Sequence, residues 1–106
     1  MTISPVPILR RALNPTEIVS QLSLVEGWSL SGDGHEISIR KTFIFKNFYE
    51  TMSFVNALAF IAHTKDHHPT LTITYKTCLV RYNTHDVKGL SNFDFECAAG
   101  IDALMQ

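Results

Sequence analysis

Apolar and polar positions change period several times along this chain, and each change predicts an element. Asn14-Pro15-Thr16-Glu17 offers a cap, a proline at the first helical position and a glutamate three residues after the cap, ahead of Ile18, Leu22 and Val25 at helical spacing. A short first helix closed by Gly27 is expected. Trp28-Ser29-Leu30 reads as a short strand and Gly32-Asp33-Gly34 as a turn. From Ile37 to Phe45 the chain alternates, with Ile37, Ile39, Phe43 and Phe45 on one face and Ser38, Arg40 and Thr42 on the other. Lys41 interrupts the apolar face, and its aliphatic stem is expected along the core with the ammonium reaching water.

Asn47 is placed to cap a long helix over about residues 48 to 66, in which Phe48, Met52, Val55, Ala59 and Ala62 recur at steps of three and four before Pro69. Leu71, Ile73 and Tyr75 then alternate with threonines, and Cys78, Val80 and Tyr82 alternate again after a change of phase at Lys76-Thr77, so two strands joined by a tight turn follow. Gly89-Leu90-Ser91 opens a last helix. Ser91 is its cap, Asp94 completes a capping box, and Leu90 and Phe95 form a hydrophobic staple. Ala98, Ile101 and Leu104 or Met105 form its apolar stripe, while Gly100 costs about 1 kcal/mol relative to alanine. The order is helix, strand, strand, helix, strand, strand, helix. Hairpins on both sides of a long helix predict an α+β fold in which a four-stranded antiparallel sheet has helices packed on one face and a semi-polar, wet face opposite.

At 106 residues the chain suits one domain with a core of its own. Residues 1–13 are expected as a flexible N-terminal tail and 14–106 as a single domain. Arg10, Arg11, Pro5 and Pro7, with no acid nearby, also allow a truncated targeting remnant. Nine basic against ten acidic residues lack the basic surplus of a nucleic-acid binder. No apolar run reaches the ~18 residues that span a bilayer, so neither nucleic acid nor membrane is an expected partner. Cys78 and Cys97 have neither metal-ligand spacing nor the density of a secreted scaffold, which points to free thiols and a cytoplasmic location.

The chemistry concentrates in histidine. Four of the five, His63, His67, His68 and His85, lie within 23 residues, and His35 stands apart beside the glycine turn. His63 and His67 are one helical turn apart, and His68 follows just before Pro69. If the hairpin turn is centred between Lys76 and Thr77, antiparallel pairing sets position 68 opposite position 85. His85 then arrives beside His67 and His68 where the long helix ends, and a shift of one or two residues leaves them neighbours. Converging imidazoles suit general acid and base work near neutral pH, with Asp66 available to orient a ring. Zinc is the rival occupant, since histidine is a favoured ligand and the helical spacing fits, although no HExxH or paired-cysteine pattern supports it.

These residues resemble a known signature. His63, His67-His68-Pro69, Tyr75, His85 and Asp94 stand in register with the motif of the pterin-4a-carbinolamine dehydratase family. Ile39 to Phe48 is similar to its strand leading into the long helix, and Gly89-Leu90-Ser91 with Asp94, Ala98, Ile101 and Asp102 to its last helix, so the resemblance covers about residues 14 to 104. It implies a hydro-lyase that dehydrates 4a-hydroxytetrahydropterin to quinonoid dihydropterin in tetrahydrobiopterin recycling, with no metal or organic cofactor. His67 and His85 would be acid and base, and His68 would hold or polarise the pterin.

The resemblance also implies substrate contacts from Asp66-His67-His68 and from Asn83-Thr84-His85-Asp86. Thr84 and His85 fit closely, whereas Asn83 and Asp86 stand where serine and glutamate are common. His63 occupies the place of a more usual glutamate that supports the site, and Leu71 the place of a tryptophan beside the pterin. Asp94 is expected to cap its helix rather than touch substrate. The family implies a homodimer or homotetramer, and its mammalian members also serve a homeodomain transcription factor as dimerisation cofactors. The alternatives are a non-catalytic dimerisation or binding module on this fold, and a divergent enzyme acting on another heterocycle or with zinc.

Overall fold

The structure, a computed structural model, describes residues 11–32 and 36–105. Residues 1–10, most of the expected tail, and Asp33, Gly34 and His35 of the first turn lie outside the described residues. Ties to the domain begin three residues before the expected boundary, because Arg11 pairs with Glu17 and the Leu13 amide donates to the Leu90 carbonyl at 2.8 Å.

Helix α1 (Pro15–Leu22) starts at the expected box: the Asn14 side chain accepts from the Glu17 amide at 2.9 Å and Glu17 accepts from the Asn14 amide at 3.0 Å. It ends before Gly27. The amides of Leu24 and Val25 already bond three residues back, which tightens the last turn out of the helix, so Val25 keeps the apolar spacing but is buried from a loop. Strands β1 (Ser29–Ser31) and β2 (Ser38–Ile44) follow, then α2 (Phe48–Lys65), β3 (Thr70–Ile73), β4 (Thr77–Tyr82), a single 3-10 turn at His85–Val87 and α3 (Asn92–Ala103). The sheet is antiparallel in the order β1-β2-β4-β3. This is the expected α+β architecture.

The β3–β4 register places Leu71 opposite Val80 and Ile73 opposite Cys78, so the turn is centred on Tyr75-Lys76, one residue earlier than expected. The Thr74 side chain decides this by accepting from the Thr77 amide at 3.1 Å. A one-residue move of the centre shifts every partner by two, which keeps each side chain on its face. Ile39, Phe43, Cys78, Val80 and Tyr82 therefore meet Ile18, Trp28, Phe54, Leu58, Phe95, Ala98 and Ile101 in one core.

Helix α2 is turned relative to the expected stripe. Thr51, Phe54, Leu58 and Ala62 are buried, while Phe48 and Ala59 are exposed. The helix is apolar on nearly every side, so spacing alone selects no face; the Thr51 hydroxyl, held to the Asn47 and Tyr75 carbonyls at 3.0 Å each, does. In α3 the stripe closes with Phe95, Cys97, Ala98 and Ile101, and Leu104 and Met105 remain exposed beyond the helix end. Gly100 has a packing reason: a Cβ there would sit 3.3 Å from Ile61 Cγ2 of α2. Lys41 departs from expectation, since its ammonium is paired, 2.9 Å from both Asp102 Oδ1 and the Glu26 carbonyl. Trp28 Nε1 donates to the same carboxylate at 3.1 Å, so Asp102 ties α3 to the first hairpin. No helix among the described residues is long and apolar enough to cross a membrane.

Candidate active site

Helix α2 stops because Asp66 adopts the left-handed conformation at φ 50°, with its amide on the Ala62 and His63 carbonyls. That reversal sends His67 back under the sheet while His68 stays outside. His67 is 6% exposed, stacked on Tyr82 with ring centroids 5.2 Å apart, and its backbone carbonyl accepts from the Tyr82 hydroxyl at 3.1 Å. Burial pushes the Tyr82 phenol up, so it remains a donor across the working pH range. Burial also raises the Cys97 thiol, whose Sγ lies 3.9 Å from the same carbonyl. Cys78 and Cys97 are free and buried, as expected of structural thiols.

The anchor of His67 is Asp94. Its Oδ1 lies 2.6 Å from His67 Nε2, and its Oδ2 accepts from the Thr84 hydroxyl at 2.8 Å and the Ser91 amide at 2.9 Å. Asp94 is fully buried and still completes the capping box of α3. One carboxylate thus caps a helix and fixes a histidine, and only the first role was legible in the sequence. The second joins residues 27 apart in the chain, and only tertiary contact brings them together.

Asp66, His67, His68, Asn83, His85 and Asp86 line one cleft of about 510 Å³. Six of the eight expected site residues therefore come together. Thr84 does not face this cleft: it is buried, and its hydroxyl also contacts Ser91 Oγ at 2.6 Å, so it supports the site from below. His63 is exposed on α2 and does not line the cleft. Tyr82 and Phe93 pack against the His67 ring, with centroids 5.2 and 6.3 Å away, and so hold it from the core side; the sequence pattern did not single out either contact. A larger cleft of about 610 Å³ between α1 and the start of α3 holds no histidine, and its two charged side chains, Arg11 and Glu17, neutralise one another. Among the described residues no group of three histidine, cysteine, aspartate or glutamate side chains has the geometry to hold a metal ion.

Fold and cleft together define a small α+β domain that presents histidines, one of them anchored on a buried carboxylate, at the joint between a long helix and a hairpin. The chain belongs to the pterin-4a-carbinolamine dehydratase family, since the model described as Pterin 4 alpha carbinolamine dehydratase matches residues 11–104. A protein of Paracidovorax citrulli, provisionally named pterin-4-alpha-carbinolamine dehydratase, is 62% identical over 96 residues, covering 91% of this chain and 83% of its own. A Bdellovibrio bacteriovorus protein with the same provisional name is 51% identical over 98 residues, covering 89% and 78%. Among solved structures, the transcriptional coactivator/pterin dehydratase of Brucella melitensis superposes with a TM-score of 0.84 at 26% identity, over 91% of this chain and all of that one. A pterin dehydratase-like protein described as a RuBisCO assembly factor of the alpha-carboxysome shares the fold, with a TM-score of 0.63 at 21% identity over 74% of this chain and 89% of that one.

Proposed function

We propose that this protein is a hydro-lyase that dehydrates 4a-hydroxytetrahydropterin to quinonoid dihydropterin by histidine acid–base catalysis, serving tetrahydrobiopterin recycling in the cytoplasm. The observation that carries the reading is the cleft shared by His67, His68 and His85, with His67 Nε2 anchored on buried Asp94. Membership of the family supplies the substrate class.

Because Asp94 accepts from Nε2–H, the neutral ring of His67 offers Nδ1 as its free basic nitrogen. His85 sits across the cleft on the exposed 3-10 turn, where solvent can return its proton. One ring protonates the C4a hydroxyl, which leaves as water, and the other takes the N5 proton as the N–H electron pair becomes the N5=C4a bond. His68, Asp66, Asn83 and Asp86 orient the pterin by hydrogen bonds. Neither step calls on a metal or an organic cofactor.

Absorbance-monitored dehydration of freshly generated carbinolamine tests this. Wild type should accelerate the reaction with or without chelator, and His67→Ala or His85→Ala should lower turnover by about 10²-fold or more. Full activity in both variants defeats the acid–base assignment. Acceleration that chelator abolishes favours zinc, and folded wild type without any acceleration favours the binding-module reading.

We also infer self-association as a homodimer or homotetramer through α2. Tyr49 and Phe60, three helical turns apart on one face, are 81% and 70% exposed, and an amphipathic surface helix does not normally show aromatics outward.

A further inference from the structure

The open face of the sheet carries two arginines where one would cost less. Arg40 of β2 and Arg81 of β4 are direct cross-strand partners, so their side chains leave the same face side by side. Like charges in that arrangement repel, and the strands themselves supply no carboxylate to offset them. The four strands contain no aspartate or glutamate, and neither guanidinium has an ion pair or hydrogen bond among the described residues. Flanking positions in the same row are Ser29 and Thr70, whose hydroxyls add donors without adding charge.

This row adjoins the active-site cleft. Arg81 and Asn83 are two residues apart on an extended run, on the side opposite Tyr82 and Thr84, whose side chains enter the core. Asn83 lines the cleft, so the arginine row begins about 7 Å from it, within the reach of an arginine side chain. The cleft itself is lined by Asp66 and Asp86 beside its three histidines, whereas the row outside it carries the two permanently charged guanidiniums. No aromatic side chain shares the open face, since Phe43 and Tyr82 belong to the core, so the stacking platform of a single-strand nucleic-acid site is missing.

We infer that Arg40 and Arg81 form an oxyanion subsite that selects reduced pterins whose C6 substituent ends in a phosphate ester or a carboxylate. The pterin ring occupies the histidine cleft and the substituent crosses Asn83 to the paired guanidiniums, which together match the geometry of either oxyanion. The inference rests on the pterin reading above and adds the specificity of its substrate. Both arginines lie outside the acid–base machinery, so their loss lowers affinity for the anionic pterins while the histidines stay in place.

Fluorescence titration of the full chain with 6-hydroxymethylpterin, its phosphate ester and 6-carboxypterin tests this without requiring turnover. Wild type should bind the two anionic pterins about 10-fold or more tightly than the alcohol, with a preference that shrinks at high salt. Arg40→Gln/Arg81→Gln should abolish that preference, and Arg40→Lys/Arg81→Lys should restore part of it. The Gln variant should melt no lower than wild type, because it removes a repulsion. Preference for only one of the two anions identifies the source of the oxyanion. Equal binding of alcohol and anions by wild type, or an unchanged preference in the Gln variant, overturns the subsite and leaves the dehydratase reading standing. If wild type binds none of the three and also fails to accelerate carbinolamine dehydration, the pterin reading falls first and the subsite with it.

Discussion

Asp94 is the residue on which this site turns. Its carboxylate collects His67 Nε2, the Thr84 hydroxyl and the Ser91 amide in a fully buried position, so no water can stand in for a lost partner. Asp94→Asn keeps the volume but offers an amide donor to a ring nitrogen that already donates, which favours the other tautomer of His67 and takes Nδ1 away as a base. Its expected outcome is a fall in kcat of about 10²-fold at nearly unchanged KM, readable in the dehydration assay. Asp94→Ala should in addition lower stability by about 3 kcal/mol, because it strands a buried hydroxyl and a buried imidazole, and chemical denaturation would register that loss. A merely structural Asp94 would show the stability loss in both variants without the selective fall in kcat.

Among the elements, α1 is short and depends on its ends. Arg11 and the Asn14 amide both bond the Glu17 carboxylate and hold it at about 2, far below the usual carboxylate range. A depressed folded value means that the stabilisation is fully present above the unfolded value of about 4.3 and is lost as pH falls through about 2. The melting temperature of wild type should therefore decline more steeply between pH 5 and pH 2 than that of Glu17→Gln, with circular dichroism melts in the same buffers as the measure. Helix α2 illustrates the opposite case, in which the ends were clear and the face was not. Asn47 caps it as expected and the helix closes at Asp66, ahead of Pro69, but its rotation is set by Thr51 against the β3–β4 turn.

Over the whole molecule, one sheet face is covered and the other bears the arginine row, while the outward side of α2 shows Tyr49 and Phe60. If α2 is the surface through which copies associate, Tyr49→Lys/Phe60→Lys should give monomers by size-exclusion chromatography with light scattering, at an unchanged circular dichroism spectrum. Wild type that is monomeric at the same concentration would defeat that assignment. The arginine row and the α2 aromatics lie on different elements, so either can be altered without touching the other.

Periodicity and capping chemistry determined the order of elements and the antiparallel sheet, because caps such as Asn14, Asn47 and Ser91 and the alternation from Ile37 to Phe45 are local signals that bind each segment to one conformation. The gathering of His67, His68 and His85 was also legible, since a hairpin must return the chain beside the residue it left, and a turn misplaced by one residue preserves both face and neighbourhood. Rotation about a helix and partnership across the core are different in kind. Nothing local turns α2 toward Thr51 and Phe54, commits Lys41 to Asp102, draws the Thr84 hydroxyl inward or makes the cap of α3 the anchor of His67. Those choices belong to packing, in which a buried polar group takes whichever partner the fold brings within reach, and only the tertiary structure decided them.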